Sequence, residues 1–175
     1  MDSIRIFGYK SFKKLSVQLH PINLLIGANG AGKSNFLSLF EMLGNIYEKR
    51  LGAYVAQVGG VDKLLYQGRK VTDRIAVNLL IAKSEYDLAL LESDGKLIVE
   101  REVVGCYDDV CSLDLVRKNV ITEFQSESSL KDHKEEDLSN YISQIRKFHF
   151  HDTGRRSPFT ADSHIVNDAY RMYEH

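Results

Sequence analysis

A chain of 175 residues, 43% of them hydrophobic, is long enough to bury the core of one domain. Its formal net charge of −1 gives no global basic field, so a nucleic-acid contact would need a local patch or a further part of the protein. Cys106 and Cys111 have no second pair, which fits neither a disulfide framework nor a zinc site. Without a membrane-length apolar run or a signal-peptide pattern, we expect a cytoplasmic protein that contacts no membrane.

The first twenty residues predict a β-hairpin. Residues 3–7 are mostly apolar, and after a turn-forming stretch Leu15, Val17 and Leu19 alternate with polar residues. The segment is locally basic, with Asp2 opposed by Arg5, Lys10, Lys13 and Lys14. This cluster lies near nucleotide phosphates or a polyanionic partner, or it is a solvated turn, and the charge pattern alone leaves both open.

Residues 27–34 match G-x-x-x-x-G-K-[ST]. Before them, residues 22–26 are almost continuously apolar, as expected of a parallel strand covered on both faces. After them, apolar residues recur at helical spacing from Phe36 to about Tyr47. The context therefore predicts a P-loop that delivers its ligand to a helix N-terminus.

The residue types in this loop suit phosphate chemistry. Glycines let backbone N–H groups turn inward around phosphate oxygens. Lys33 is expected to reach the β- and γ-phosphates of ATP, and the Ser34 hydroxyl is expected to be a ligand of Mg²⁺. The alternative is a glycine-rich turn with no ligand. No catalytic residue is predicted, and the predicted phosphate-binding residues are Gly27, Asn29, Gly30, Ala31, Gly32, Lys33, Ser34 and Asn35.

The opening of the chain combines Ile4-x-x-Phe7-x-x-Lys10-Ser11-Phe12, two short strands, and Gly-Ala-Asn-Gly-Ala-Gly-Lys-Ser-Asn. On these residues it resembles the ABC-type heads of RecF, structural-maintenance-of-chromosomes and OLD-like proteins. More narrowly, it resembles bacterial ATPases that are classed as AAA-type but follow the ABC head plan. The resemblance implies an α/β P-loop NTPase with the N-terminal half of an ABC-ATPase-like head, in which a parallel core strand adjoins an antiparallel β lobe.

The resemblance also carries functional expectations. It implies that ATP and Mg²⁺ are bound, that the N-terminal hairpin lies beside the adenine and ribose, and that full-length heads form a homodimer. It implies a role in DNA maintenance, repair or phage defence, with DNA contacted through the full-length protein. Lys10 is an accessory site candidate because it lies in that hairpin.

The middle of the chain predicts a broken helix followed by an antiparallel meander. The helix that follows the P-loop is expected to run to about residue 50, and residues 51–68 to form a second helical stretch closed at Gly59-Gly60. Three strands are expected at 75–82, 86–91 and 97–104, with Asp94-Gly95 as a hairpin turn. Residues 103–109 imitate a Walker B strand, but we interpret them as a polar turn.

The last third predicts a solvated acidic insertion at 123–137, a helix at 137–147 and a strand at 147–152. His149 and His151 face the same side of that strand with Asp152 just beyond, which makes these three residues candidates for a metal site. The resemblance instead implies an accessory role at the nucleotide for His151 or Asp152. Residues 161–173 have a helical pattern. The chain is thus expected to be a single partial head, divided into 1–50, 51–122, 123–137 and 138–175.

Two motifs of a complete ABC-type ATPase are missing: no apolar strand ends in Asp-Glu, and nothing matches the Ser-Gly-Gly signature. We therefore expect a truncated or naturally short head that binds ATP better than it hydrolyses it. The alternatives are a small P-loop kinase, for which only Arg155 and Arg156 suggest a lid, and an interaction module with an inert P-loop. A GTPase is disfavoured because neither Asn-Lys-x-Asp nor Asp-x-x-Gly occurs.

Overall fold

The computed structural model describes residues 1–107, 115–133 and 136–145. These form one six-stranded sheet in the order β2-β1-β3-β4-β5-β6, in which every neighbouring pair is antiparallel. The strands are β1 (Ser3–Tyr9), β2 (Phe12–Gln18), β3 (Arg74–Ile81), β4 (Ser84–Ser93), β5 (Lys96–Tyr107) and β6 (Leu115–Gln125). The helices are α1 (Lys33–Tyr47), α2 (Leu51–Gln57) and α3 (Glu136–Ser143), with short 3₁₀ turns at Val61–Lys63 and Leu130–Asp132. The predicted mixture of helices and an antiparallel lobe is confirmed.

Two predicted hairpins are present because their local sequence determines them. β1 and β2 pair from Ser3↔Gln18 to Tyr9↔Phe12. β4 and β5 are joined by Asp94 and Gly95, whose φ angles of 50° and 77° are both left-handed, as a two-residue type I′ turn requires. The antiparallel meander expected after the P-loop helix is therefore confirmed, and β4 and β5 are longer than predicted. Since β5 runs to Tyr107, the interpretation of residues 103–109 as a polar turn is wrong for 103–107.

One face of the sheet carries the core. Alternate residues of the central strands, such as Ile4 of β1, Val77 of β3 and Leu90 of β4, are at most 2% exposed and face the helices. The helix α1 buries a stripe at helical spacing: Phe36, Leu39, Met42, Leu43 and Ile46. No helix among the described residues combines the length and apolarity needed to span a membrane.

The parallel core strand predicted at residues 22–26 is not shown. This segment lies outside every strand, and Ile22, Leu24 and Ile26 are 80–90% exposed. Apolarity alone does not make a strand, because backbone N–H and C=O groups need a neighbouring strand as hydrogen-bond partner. Within the described ranges no strand lies beside this segment, so its apolar side chains are left in solvent.

The acidic region also differs from the expectation of a solvated loop. Its first residues belong to β6, a strand that the sequence analysis missed, and Ser128 and Leu130 are buried. Glu127 accepts hydrogen bonds from the backbone N–H groups of Leu51 (3.0 Å) and Gly52 (3.4 Å) and so caps α2. Glu127 therefore helps to hold α2 in place.

A buried carboxyl group ties this region to the sheet. Glu102 of β5 is fully buried. Its Oε1 accepts hydrogen bonds from the hydroxyls of Tyr86 (2.5 Å) and Ser128 (2.6 Å). Its Oε2 accepts from the Thr122 hydroxyl (2.7 Å) and the backbone N–H of Ser129 (3.0 Å). Four donors from three places in the chain thus converge on one side chain.

Buried tyrosines should make the domain sensitive to alkali. Burial raises the pKa of Tyr9 and of Tyr86, and Glu102 beside Tyr86 raises the latter further, so the folded state keeps both phenols protonated. Below pH 10 the phenols are protonated in the unfolded state too, so these two tyrosines do not make the free energy of unfolding depend on pH. Above pH 10 the unfolded state loses protons that the folded state keeps, so the free energy of unfolding should fall by about 1.4 kcal/mol per pH unit for each phenol.

Urea denaturation between pH 8 and 11.5 measures this slope. Tyr9→Phe should unfold with a shallower pH dependence above pH 10 than the wild type, whereas Tyr141→Phe, at an exposed position, should keep the wild-type slope. Equal slopes for all three proteins would show that the buried phenols do not control alkaline stability.

Candidate phosphate-binding site

The predicted phosphate loop leads directly into α1, whose N-cap is Gly32. Among the residues that the structure describes, no side chain caps this helix, and its first turn contains no acidic residue. The first N–H groups of a helix have no acceptor within the helix, and the helix dipole places partial positive charge there. The N-terminus of α1 is therefore able to accept an anion through its backbone.

Two glycines of the loop have left-handed backbone angles: φ is 85° at Gly30 and 93° at Gly32. A Cβ on Gly30 would have no neighbour within 4 Å, so only the angle demands glycine there. A Cβ on Gly32 would lie 3.0 Å from the Ser11 Oγ and 3.2 Å from the Phe12 ring. Gly32 therefore satisfies both a backbone angle and the close approach of the β1–β2 turn.

Gly32→Ala and Gly44→Ala should have opposite effects on stability. The first places a side chain at positive φ against Ser11 and Phe12, and we expect a loss of about 1–2 kcal/mol. The second replaces a glycine inside α1 where a Cβ meets nothing within 4 Å, and we expect a gain of about 0.5–1 kcal/mol. Chemical denaturation of both variants measures the difference, and a Gly32→Ala protein as stable as wild type would contradict the loop geometry.

Lys33 folds back onto the loop that precedes it. Its Nζ donates to the backbone oxygens of Gly27 (2.5 Å) and Ala28 (2.7 Å), and the N–H of Ala31 donates to the same Ala28 oxygen (3.2 Å). The ammonium group is thus held inside the curve of the loop. A phosphate entering there would replace neutral carbonyl acceptors by charged oxygens, which form stronger hydrogen bonds with an ammonium group.

The β1–β2 turn is fastened to the first two turns of α1. The Asn35 side chain donates to the Ser11 Oγ (3.0 Å), and the Lys10 Nζ donates to the Ser38 Oγ (2.8 Å). The hydroxyls of Tyr9 and Ser38 are 2.9 Å apart and share a hydrogen bond. The structure therefore brings Lys10, a predicted accessory residue, onto the helix that begins at the phosphate loop.

A cleft of about 750 Å³ lies between this turn, the start of α1 and a loop at residues 62–70. Lys10, Ser11 and Asn35 line one side. The other side includes four residues that the sequence analysis did not assign to a site: Lys63, Gln67, Arg69 and Lys70. The sequence shows that these polar residues cluster after Gly59-Gly60, but it does not show that they lie beside the hairpin. The pairing of Tyr9 with Leu65 places them there.

The remaining predicted candidates lie outside the described residues: the strand at 147–152 with His149, His151 and Asp152, and the arginines at 155 and 156. Within the part of the chain that the structure describes, no group of three or more His, Cys, Asp or Glu side chains is arranged to hold a metal ion.

A mixed α/β fold and a glycine-rich loop at an uncapped helix N-terminus are the features of a nucleotide-binding domain. A comparison with protein families identifies this class more closely. The family model of the AAA ATPase domain matches residues 1–153, and the chain belongs to this family. Membership implies an ATPase-type module that binds nucleotide, usually with Mg²⁺. No curated protein matches the chain at a significant level.

Proposed function

We propose that the chain is the ATP-binding module of an ABC/SMC/RecF-like ATPase, with the phosphates of ATP bound at residues 27–35. The observation that carries the proposal is the N-terminus of α1, which begins with Lys33 and Ser34 and receives no side-chain cap from the described part of the chain. Its backbone N–H groups and the Lys33 ammonium would share the β- and γ-phosphate oxygens. Gly27, Asn29, Gly30, Ala31, Gly32 and Asn35 would complete the cradle.

The residues present suit a magnesium ion in this module. Ser34 is exposed in the first turn of α1, so its hydroxyl oxygen is accessible to a hard cation that is bound mainly through phosphate oxygens and water. Such an ion would neutralise charge on the phosphates. Ser34 would hold it, and Lys33 would compensate the remaining charge.

The cleft beside the loop is the proposed place for the nucleoside. It opens next to Asn35 and is lined by Ser11, Lys10 and Gln67, which can donate hydrogen bonds to sugar or base. The resemblance to ABC-type heads agrees with this position, because the N-terminal hairpin lies beside adenine and ribose in those proteins.

Hydrolysis requires groups that we do not find in the sequence. The apolar strand ending in Asp-Glu is missing, so we propose that this chain binds Mg-ATP without appreciable turnover unless a carboxylate is supplied from outside it. The exposed apolar residues at 22–26 support the head plan, since a parallel strand at that position would pair with further strands of the core. A homodimer of heads and a role on DNA rest on the resemblance alone.

The alternatives are supported less well. A small P-loop kinase does not usually place a long antiparallel meander after its P-loop helix, and β3, β4 and β5 form such a meander here. An interaction module with an inert loop does not require Lys33 and the two left-handed glycines, which are present together here.

A titration with a fluorescent ATP analogue tests the proposal. The wild type should bind more weakly when EDTA removes Mg²⁺, and Ser34→Ala should lose most of this dependence on Mg²⁺, which we expect to be about tenfold, or about 1.4 kcal/mol. Ser126→Ala, an exposed serine on another segment, is the matched control. Equal affinities with and without Mg²⁺ would contradict the role of Ser34, and no binding would contradict the proposal as a whole.

A further inference from the structure

The second face of the sheet, opposite α1, α2 and α3, forms a surface of its own. Strand register places its side chains in two rows that cross the sheet. One row, in the order β2 to β6, is Lys14, Phe7, Ala76, Ala89, Arg101 and Glu123. The next is Ser16, Arg5, Asn78, Asp87 and Val103, and it reaches Val120 of β6. We call these two rows the open face.

A trough of about 370 Å³ runs along the open face. Its floor is formed by Ala76 and Ala89, which are cross-strand partners in the centre of the sheet. Phe7 stands on one side of this floor and is 44% exposed, and Val120 lies beyond the other side and is 47% exposed. Small residues flanked by larger ones make a depression that an apolar side chain can fill.

The trough is lined by more cations than acids. Arg5, Lys14 and Arg101 line it, and none of them forms an ion pair with an acidic side chain in the described ranges, although Glu123 of β6 is the cross-strand partner of Arg101. The acidic residue of the trough, Asp87, accepts a hydrogen bond from Asn78 (2.5 Å). An apolar floor lined by three cations and one acid, Asp87, carries a net positive charge and is complementary to an apolar group flanked by carboxylates.

We propose that the open face is a docking site for an acidic amphipathic segment of a partner protein. One large apolar side chain of that segment would enter the trough over Ala76 and Ala89, in contact with Phe7. Carboxylates on either side of it would pair with Arg5, Lys14 and Arg101. This partner site is separate from the nucleotide site and does not depend on the function proposed for it.

Two other occupants fit the surface less well. A second copy that docked through the same face would bring its own Arg5, Lys14 and Arg101 against this set, and the like charges would repel one another. Single-stranded nucleic acid is held by several aromatic side chains on which successive bases stack, whereas the trough offers Phe7 alone. Charge and shape together therefore favour a polypeptide with acidic residues.

Selection of random dodecapeptides displayed on phage against the purified domain tests the proposal. The selected peptides should carry an aromatic or large aliphatic residue flanked by Asp or Glu. Synthetic copies should bind the wild type and lose at least tenfold in affinity with Arg101→Glu or Lys14→Glu. Lys13→Glu and Lys96→Glu, at exposed positions that do not line the trough, are the matched controls and should change the affinity by less than twofold.

A substitution that fills the trough is an independent test. Ala89→Trp should abolish peptide binding while the circular dichroism spectrum is unchanged. If this variant does not fold, the test relies on Arg101→Glu and Lys14→Glu. Failure to select acidic peptides, or selection of peptides that bind the charge variants as well as the wild type, would overturn the proposal. So would tighter binding of the oligonucleotide dT20 than of the peptides, or concentration-dependent dimerisation that Arg101→Glu abolishes.

Discussion

Lys33→Ala is expected to remove most of the thermal stabilisation that Mg-ATP gives to the domain. Ligand at about 100 times its dissociation constant adds about 2.7 kcal/mol to the stability of the folded state. For a domain of this size that corresponds to a rise of roughly 5–10 °C in Tm. The Lys33 ammonium is the cation held inside the phosphate loop, where it contacts the Gly27 and Ala28 oxygens, so its loss should eliminate most of this shift. Differential scanning fluorimetry with and without Mg-ATP measures the effect.

Lys13→Ala is the control for this experiment, because Lys13 is an exposed cation of the same basic N-terminal region. It should keep the full ATP-dependent shift. If both variants responded to Mg-ATP as the wild type does, the phosphate loop would not be the nucleotide site. The Tm of Lys33→Ala without nucleotide should stay close to that of the wild type, since the hydrogen bonds of this side chain go to exposed backbone oxygens of the loop.

Glu102→Ala is expected to destabilise the domain by about 3–5 kcal/mol. The substitution removes the acceptor of four hydrogen bonds. Inside the core, the hydroxyls of Tyr86, Thr122 and Ser128 then lose the carboxylate to which they donate. It also opens a cavity where the side chain is fully buried. Because the four donors come from β4, β6 and residues 128–129, the loss should loosen the far edge of the sheet. Urea denaturation measures the change.

Glu102→Gln separates the loss of the acceptors from the loss of volume. It keeps the shape and one carbonyl oxygen, and it should cost about 1–2 kcal/mol, less than half of the alanine effect. Glu123→Ala, on an exposed residue of β6, should change the stability by less than about 0.5 kcal/mol. A Glu102→Ala protein as stable as Glu123→Ala would mean that the buried network is not needed for the fold.

Local signals explain which parts of the fold were predictable. The Asp94-Gly95 turn and the alternation in β3 and β4 are each encoded within a few residues, and the structure follows them. The apolar stripe of α1 likewise predicts the helix, although it ends at Tyr47 and not near residue 50. These features need no information from distant parts of the chain.

The features that were missed depend on long-range partners. Residues 22–26 have the composition of a core strand, but a strand forms only where a neighbour accepts its backbone hydrogen bonds. Glu102 looks like any polar residue of a strand until Tyr86, Thr122 and Ser128 converge on it. β6 was missed because Arg117, Lys118 and Asn119 interrupt its apolar pattern.

The candidate site divides in the same way. The spacing of glycines before Lys33 and Ser34 predicts the phosphate loop from eight consecutive residues, 27–34. The cleft next to it is assembled from residues 10–11, Asn35 and residues 62–70, and no local pattern joins these segments. They meet because Lys10 and Tyr66 pair through their backbones with Leu64 and Gly8.

The most direct test of nucleotide binding at the phosphate loop is an NMR titration of the ¹⁵N-labelled chain with Mg-ATP. The account predicts that the largest amide shifts occur at Gly30, Gly32, Lys33 and Ser34, where backbone N–H groups would meet phosphate oxygens. Smaller shifts should appear at Ser11 and Gln67 in the cleft. Absence of shifts at the loop, or a set of shifts confined to the open face or another surface, would contradict it.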